Sequence, residues 1–284
     1  MRGGQIQSGF QRVFGVRCGE MNQLAERRAI VIGASRGLGR GLAEAFLAEG
    51  ASVVAVARDT SPLDALAARN NNLHLEAADA SDPAVPGKLL RQYQPDLVAL
   101  VAGAAPVLRP LHEQTWESFS TNWNADVRMT FQWLQEVLRL PLRPGSQVIV
   151  MSSGAAIMGS PLSGGYAGAK AMQRFMADYA GQEAQRGKLG IMFSAVMPRL
   201  TPLTELGGAA TRAYAARMGI TEAQYLEQSG KPVSPEIAGT AFVSLATGGV
   251  PPGAYMLTAD GLQPPPGAPP ANRPQPSPAV KAER

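Results

Sequence analysis

A doubly wound α/β fold, with one parallel sheet of seven strands in a single domain, is predicted by three features of this 284-residue chain. Strand-length apolar runs alternate with helix-length segments over residues 29–262, as expected of parallel strands joined by crossover helices. The first run, Ala29-Ile30-Val31-Ile32, passes through Gly33-Ala34-Ser35-Arg36-Gly37-Leu38-Gly39 into a helix. Ser153 stands just beyond another such run, Gln147-Val148-Ile149-Val150-Met151, at the strand end where sheets of this kind bind ligands.

The elements follow in order. Strand 29–33 is a continuous apolar run, as suits a strand buried on both faces. The helix at 38–49 after the glycine turn carries Leu42, Ala43, Phe46 and Leu47 as its apolar side. Strand 51–57, helix 61–69, strand 73–77 and helix 83–93 continue the alternation, and strand 96–102 leads to one long helix, 114–139. Strand 146–152 precedes a second long helix, 164–186, after which come strand 190–197, helix 235–247 and strand 253–258. Residues 201–230 are expected to form a substrate lid whose alanines, Tyr214, Met218 and Tyr225 line an apolar pocket or pack as a helix face.

Composition agrees with one domain between two tails. A chain 45% hydrophobic and 17% charged buries a full α/β core without staples. The single cysteine, Cys18, excludes an intramolecular disulfide, and His74 and His112 without clustered partners argue against a metal site. The apolar stretch from Leu97 to Leu108 is too short and interrupted to span a bilayer, so a soluble, cytoplasmic protein is expected. The formal charge of +4 is carried by the ends: residues 1–28 hold a net +3 and residues 263–284 a net +2. The remainder is slightly negative, which gives no reason to expect a nucleic-acid partner. Residues 1–28 are expected to be a disordered extension. Their arginine-rich composition suits a transit peptide, but a start misassigned upstream of Met21 is the preferred explanation. Residues 263–284, rich in proline, are expected to be a disordered tail.

Two motifs carry chemistry. In the glycine turn, Gly33 permits the tight turn, Gly37 lets backbone approach a pyrophosphate and Gly39 lets helix and strand pack closely. The helix start adds free N–H groups and a positive dipole end, so the unit reads as a phosphate site, and the lack of a Gly-Lys-Ser/Thr ending disfavours a nucleoside-triphosphate loop. The second motif is Tyr166-Ala167-Gly168-Ala169-Lys170, which sets phenol and ammonium one helical turn apart on one face. With an effective dielectric of about 20, a cation roughly 5 Å from a phenolate stabilises it by about 3 kcal/mol, enough to make a general acid. A surface tyrosine and lysine at helical spacing would look the same.

With both motifs in this order and about 130 residues apart, the chain resembles the short-chain dehydrogenase/reductase family in its shorter form, over roughly Ala29 to Leu262. The resemblance implies a Rossmann-type sheet binding NAD(P). Ser153 would then hold a substrate oxygen, Tyr166 exchange its proton, and Lys170 assist the tyrosine and bond the nicotinamide ribose in a reversible carbonyl–alcohol conversion. The glycine turn, with Ser35 and Leu38 among its residues, would cradle the diphosphate. NADP is expected over NAD because Ala57 stands where NAD-preferring members place a carboxylate, and Arg58 with Arg36 would hold a 2′-phosphate. Asp59 is a ribose ligand or a cap for Ser61-Pro62.

Other positions follow from the same resemblance. Asp79 would meet the adenine edge, or serve as a turn aspartate. Ala102-Gly103 would border the nicotinamide ribose, with Leu100-Val101 replacing the family's two asparagines or packing in the sheet. The family's helix asparagine, which holds a water linking the lysine to solvent, aligns with Asp126, while Asn124 lies two residues earlier. Asp126 would sit near Lys170 or else be exposed and without such contact. In Pro198-Arg199-Leu200-Thr201, Arg199 replaces the family's glycine, Pro198 would border the nicotinamide and Thr201 bond its carboxamide. A homo-oligomer, dimer or tetramer, through the two long helices is also implied. The alternatives are NAD-dependent alcohol oxidation, or a dinucleotide-binding sensor or scaffold with weak catalysis.

Overall fold

The computed structural model describes residues 22–267. Its eight-stranded sheet runs in the order β3-β2-β1-β4-β5-β6-β7-β8. The strands are β1 (Arg28–Ile32), β2 (Ser52–Ala57), β3 (Leu73–Ala77), β4 (Leu97–Leu100), β5 (Gln147–Met151), β6 (Met192–Pro198), β7 (Ala254–Thr258) and β8 (Gly261–Gln263). The first seven are parallel, and β8 folds back antiparallel on β7 through Ala259-Asp260. The expected count of seven strands is therefore one short: a three-residue strand carries no periodicity, and only the Asp260-Gly261 turn dipeptide announces it.

Why the sheet is covered on both faces is visible in β1. Ala29 and Val31 join one core with Leu42, Phe46 and Phe242. Ile30 and Ile32 point the other way, into a core with Trp133, Leu134 and Phe193. Side chains of a strand alternate between faces, so an unbroken apolar run is what two packed faces demand. Helices α1 (Gly37–Ala48) and α10 (Pro235–Ala246) cover the first face, and α3 (Ala84–Tyr93), α5 (Arg128–Arg139) and α7 (Gly164–Arg186) the second. Burying each large side chain such as Phe46 or Trp133 contributes about 1.5–3 kcal/mol.

Several boundaries differ from expectation. The helix expected at 61–69 is a 3-10 turn, Ser61–Leu63, followed by the short α2 (Asp64–Ala67). The helix expected over 114–139 is three pieces: α4 (Trp116–Asn122), a π-helical turn (Trp123–Val127) and α5. A short α6 (Ala155–Met158) follows β5. The expected lid is mainly two helices, α8 (Glu205–Met218) and α9 (Glu222–Ser229), begun by the side-chain caps Thr204 and Thr221. The expected N-terminal extension overlaps the folded domain, because Leu24 is buried in the first core and Arg28 opens β1. Gln263, placed in the expected tail, closes β8. Residues 1–21, with Cys18, and 268–284 lie outside the described residues. Among the described residues no helix is long and apolar enough to cross a membrane, and no group of three metal-ligating side chains occurs.

Candidate active site

The sheet reverses its order between β1 and β4, and loops from β1 to β6 enclose a cleft of about 740 Å3 at the strands' C-terminal ends. The expected catalytic residues and the expected glycine-turn, Arg58, Asp79, Ala102-Gly103, Pro198 and Thr201 contributors line it, whereas Asp59, Asn124, Tyr214, Met218 and Tyr225 do not. Gly33, Ser35, Arg36, Gly37, Leu38 and Gly39 form the middle of the wall beneath β1 and α1. Arg58 after β2 and Asp79 after β3 lie to one side. Ala102, Gly103, Ser153, Tyr166, Lys170, Pro198 and Thr201, from the elements after β4, lie to the other.

The middle of the cleft is glycine-lined backbone at the start of α1. At Gly39 an added Cβ would lie 2.1 Å from the Gly33 carbonyl oxygen, so only glycine lets α1 start this close to β1. Gly33 itself has φ +88° and rests against the Ala102 backbone. Arg36 precedes α1 without a side-chain cap, and no acidic residue stands in the first turn, which leaves the helix's opening N–H groups for a ligand.

The polar groups of the outer side are partly committed. Asp79 Oδ1 accepts from the Ser81 N–H at 2.9 Å and the Ser81 hydroxyl at 2.7 Å. Those bonds, helped by Arg58 and Arg128 and opposed by slight burial, hold its carboxyl below the usual range. Arg58 is exposed at the rim. Arg36 pairs with Glu205 at the start of α8, both side chains well exposed. Asp59 accepts from Ser61 at its N–H and hydroxyl, just ahead of the 3-10 turn whose N-cap is Thr60, and does not line the cleft.

On the other side, α7 delivers Tyr166 and Lys170 as adjacent turns of one face. The Lys170 Nζ lies 5.4 Å from the centre of the Tyr166 ring. Lys170 is buried, donates to Gln173 Oε1 at 2.8 Å and stands 3.3 Å from Asp126 Oδ2. Burial disfavours its charge, but the Asp126 carboxylate and the Tyr166 phenol together outweigh that and raise its pKa above the ordinary lysine value. Ser153, half-buried at the end of β5, accepts from the Ala155 N–H at 3.2 Å. Neighbouring Ser152 is buried and bonds the Lys170 carbonyl, bracing α7 against β5.

Asp126 thus has the Lys170 contact and is buried, whereas Asn124 is exposed and bonds Ser120. Leu100 packs wholly inside the sheet and Val101 against the core, where the family carries asparagines. Tyr214 and Tyr225 stack on each other with ring centres 6.0 Å apart, and Met218 is exposed. None of the three lines the cleft, so the expected apolar wall is corrected: from this segment Leu203, Leu206 and Ala209 supply it.

The family model for short chain dehydrogenases matches residues 27–215, more than half of the chain. The chain belongs to this family. Relatives of this short-chain dehydrogenase include an L-xylulose reductase of Mesocricetus auratus, 34% identical over 116 residues, 41% of this chain and 48% of that one. A carbonyl reductase [NADPH] 2 of Sus scrofa is 31% identical over 128 residues, 44% of this chain and 52% of its own. An uncharacterized oxidoreductase, YghA, of Escherichia coli (strain K12) is 29% identical over 209 residues, 67% of this chain and 70% of its own. The match spans about half the length of the two named reductases.

Two residues of the dehydrogenase's site escaped the sequence reading. Gln173, buried beside Lys170, lies at i+3 on the same helix face and was open to discovery by that spacing. Glu205, paired with Arg36 from 169 residues away, has no local signal.

Proposed function

We propose that this short-chain dehydrogenase reduces a carbonyl to an alcohol, reversibly, with NADP(H) as the preferred cofactor. The observation that carries the reading is that Ser153, Tyr166 and Lys170 share one wall of a cleft whose centre is an anion cradle at the start of α1. When bound, the nicotinamide supplies or accepts the hydride. The cradle of Gly33, Gly37 and Gly39 suits a diphosphate, Asp79 has one carboxylate oxygen uncommitted for an adenine edge, and Arg36 and Arg58 suit a 2′-phosphate. Pro198 and Thr201 with Ala102 and Gly103 would flank the nicotinamide end.

The chain's own residues act as follows. Ser153 uses its oxygen to accept from Ala155, so its hydroxyl hydrogen is free to donate to the substrate oxygen. Tyr166 delivers the proton to that oxygen during reduction and takes it back in oxidation. An ammonium carries three hydrogens: two of those on Lys170 face Gln173 and Asp126, which leaves one for the phenol or the cofactor ribose. Half-buried Leu206 and Ala209, with exposed Leu203, give the cleft an apolar border that favours an apolar substrate body. Exposed Phe131 on α5, with Phe175 and Tyr179 on α7, supports a homo-oligomer joined through these helices.

The test is to titrate the purified protein with NADPH and NADH and to follow loss of nicotinamide absorbance against a carbonyl panel. NADPH-dependent reduction supports the reading. Reduction or alcohol oxidation with NAD(H) alone would overturn the cofactor choice, and tight binding without turnover of any substrate would make the protein a sensor.

A further inference from the structure

Asp126 is 1% exposed and Lys170 4%, and their 3.3 Å contact lies at the inner end of the cleft. The carboxylate is held from three directions. Its Oδ1 accepts from the Ala104 N–H at 2.7 Å, and its Oδ2 faces both Asn122 Nδ2 and the lysine at 3.3 Å. Gln173, fully buried, closes the ring: it accepts from Lys170 and donates through Nε2 to Thr130 Oγ1 at 2.6 Å and to the Asp126 carbonyl at 3.3 Å. The π-helical turn carries Asp126, and an alanine at 103 would put its Cβ 2.9 Å from Oδ2. Backbone, helix register and neighbouring glycine thus all serve one placement.

We propose that Asp126 is a positioning residue that holds Lys170 as half of a buried, charge-neutral pair and thereby sets the pH range over which the site donates a proton, favouring carbonyl reduction over alcohol oxidation. This rests on Ser153, Tyr166 and Lys170 being the reacting set. A lone ammonium beside a phenol draws out its proton; a carboxylate against the same ammonium cancels much of that pull. The charged and titratable groups around the pair are few. Tyr166 comes from α7 and Arg199, which lines the same cleft, from the end of β6, while the loop after β4 offers Asp126 only backbone; Arg128, at the start of α5, acts on Asp79 instead. Arg128 and Arg199 are exposed and therefore screened. The direct contact of two buried opposite charges dominates.

The experiment compares the wild type with Asp126→Asn, measuring kcat for reduction and for oxidation from pH 5 to 10. In the variant the alkaline limb of reduction should move down by roughly one to two units, the effect of a lost unit charge at an effective dielectric of about 20. Oxidation near neutral pH should rise relative to reduction. Profiles that coincide in both directions would overturn the proposal and leave Asp126 a packing residue. A second measurement needs neither turnover nor a folded variant: side-chain NMR of wild-type protein labelled at lysine Cε. The Lys170 resonance should titrate above the ordinary lysine value; titration below it would overturn the pair. Absence of carbonyl turnover in the wild type would sink the functional reading itself, and the lysine titration would still report on the pair.

Discussion

Replacing Gly39 with alanine sets two effects of opposite sign against each other. In an open helix position the change should stabilise by about 0.8–1.0 kcal/mol, the propensity difference between the two residues. Here the new Cβ would lie 2.1 Å from the Gly33 oxygen, 2.9 Å from the Gly33 carbonyl carbon and 3.4 Å from the Ala34 Cα. All three are backbone atoms and cannot rotate aside, so the start of α1 must retreat from β1 by about 1 Å, and overpacking of this kind costs about 1–3 kcal/mol. Sterics should win, with a fall in Tm of up to roughly 8 °C for a domain of this size. The same retreat misaims the N–H groups of the cradle. At about 1.5–3 kcal/mol for each hydrogen bond to a charged partner, loss of one weakens NADPH binding by roughly 10- to 150-fold. Thermal unfolding and fluorescence titration with NADPH measure the two effects. Gly168→Ala is the control, since a Cβ there meets nothing within 4 Å and α7 should gain only the propensity difference. A Gly39→Ala protein as stable as that control, binding NADPH like the wild type, would refute the close-approach argument.

Other perturbations separate the parts of the account. Arg58→Ala should weaken NADPH about 10- to 100-fold while leaving NADH within a few-fold, because only the former carries a 2′-phosphate for the guanidinium; equal losses for both would remove Arg58 from that role. Trp133→Ala should destabilise the fold by about 3–5 kcal/mol in urea denaturation, since the side chain is fully buried and its Nε1–H donates to the Ala80 carbonyl at 3.1 Å. By contrast, Trp116→Ala, at a side chain 75% exposed, should stay within about 0.5 kcal/mol.

What the sequence made legible follows from which signals are local. Strand β1, the glycine turn and α1 are contiguous, and each local choice agrees with the next, so their reading needed no tertiary information. Tyr166 and Lys170 were legible because helical periodicity alone puts them on one face. The π turn was not, since residues 114–139 keep helical composition throughout and one widened turn changes no residue type. Asn124 and Asp126 could not be separated by counting for that reason: the turn decides which of them faces inward. The lid misled differently. Tyr214 and Tyr225 have the chemistry of a pocket wall but satisfy each other, and the sequence holds no record of which face of α8 meets the cleft. Thr204 and Thr221 were nevertheless signals of helix starts there, Thr221 with Gln224 forming a capping box.

The central claim is that the Tyr166 hydroxyl passes the proton while the rest of the cleft binds and orients. Single-turnover reduction by Tyr166→Phe, measured beside its NADPH affinity, addresses it most directly. The account predicts a rate lower by about 10²- to 10⁴-fold, the usual contribution of a general acid, with NADPH bound nearly as in the wild type. Undiminished reduction by the phenylalanine variant would contradict it.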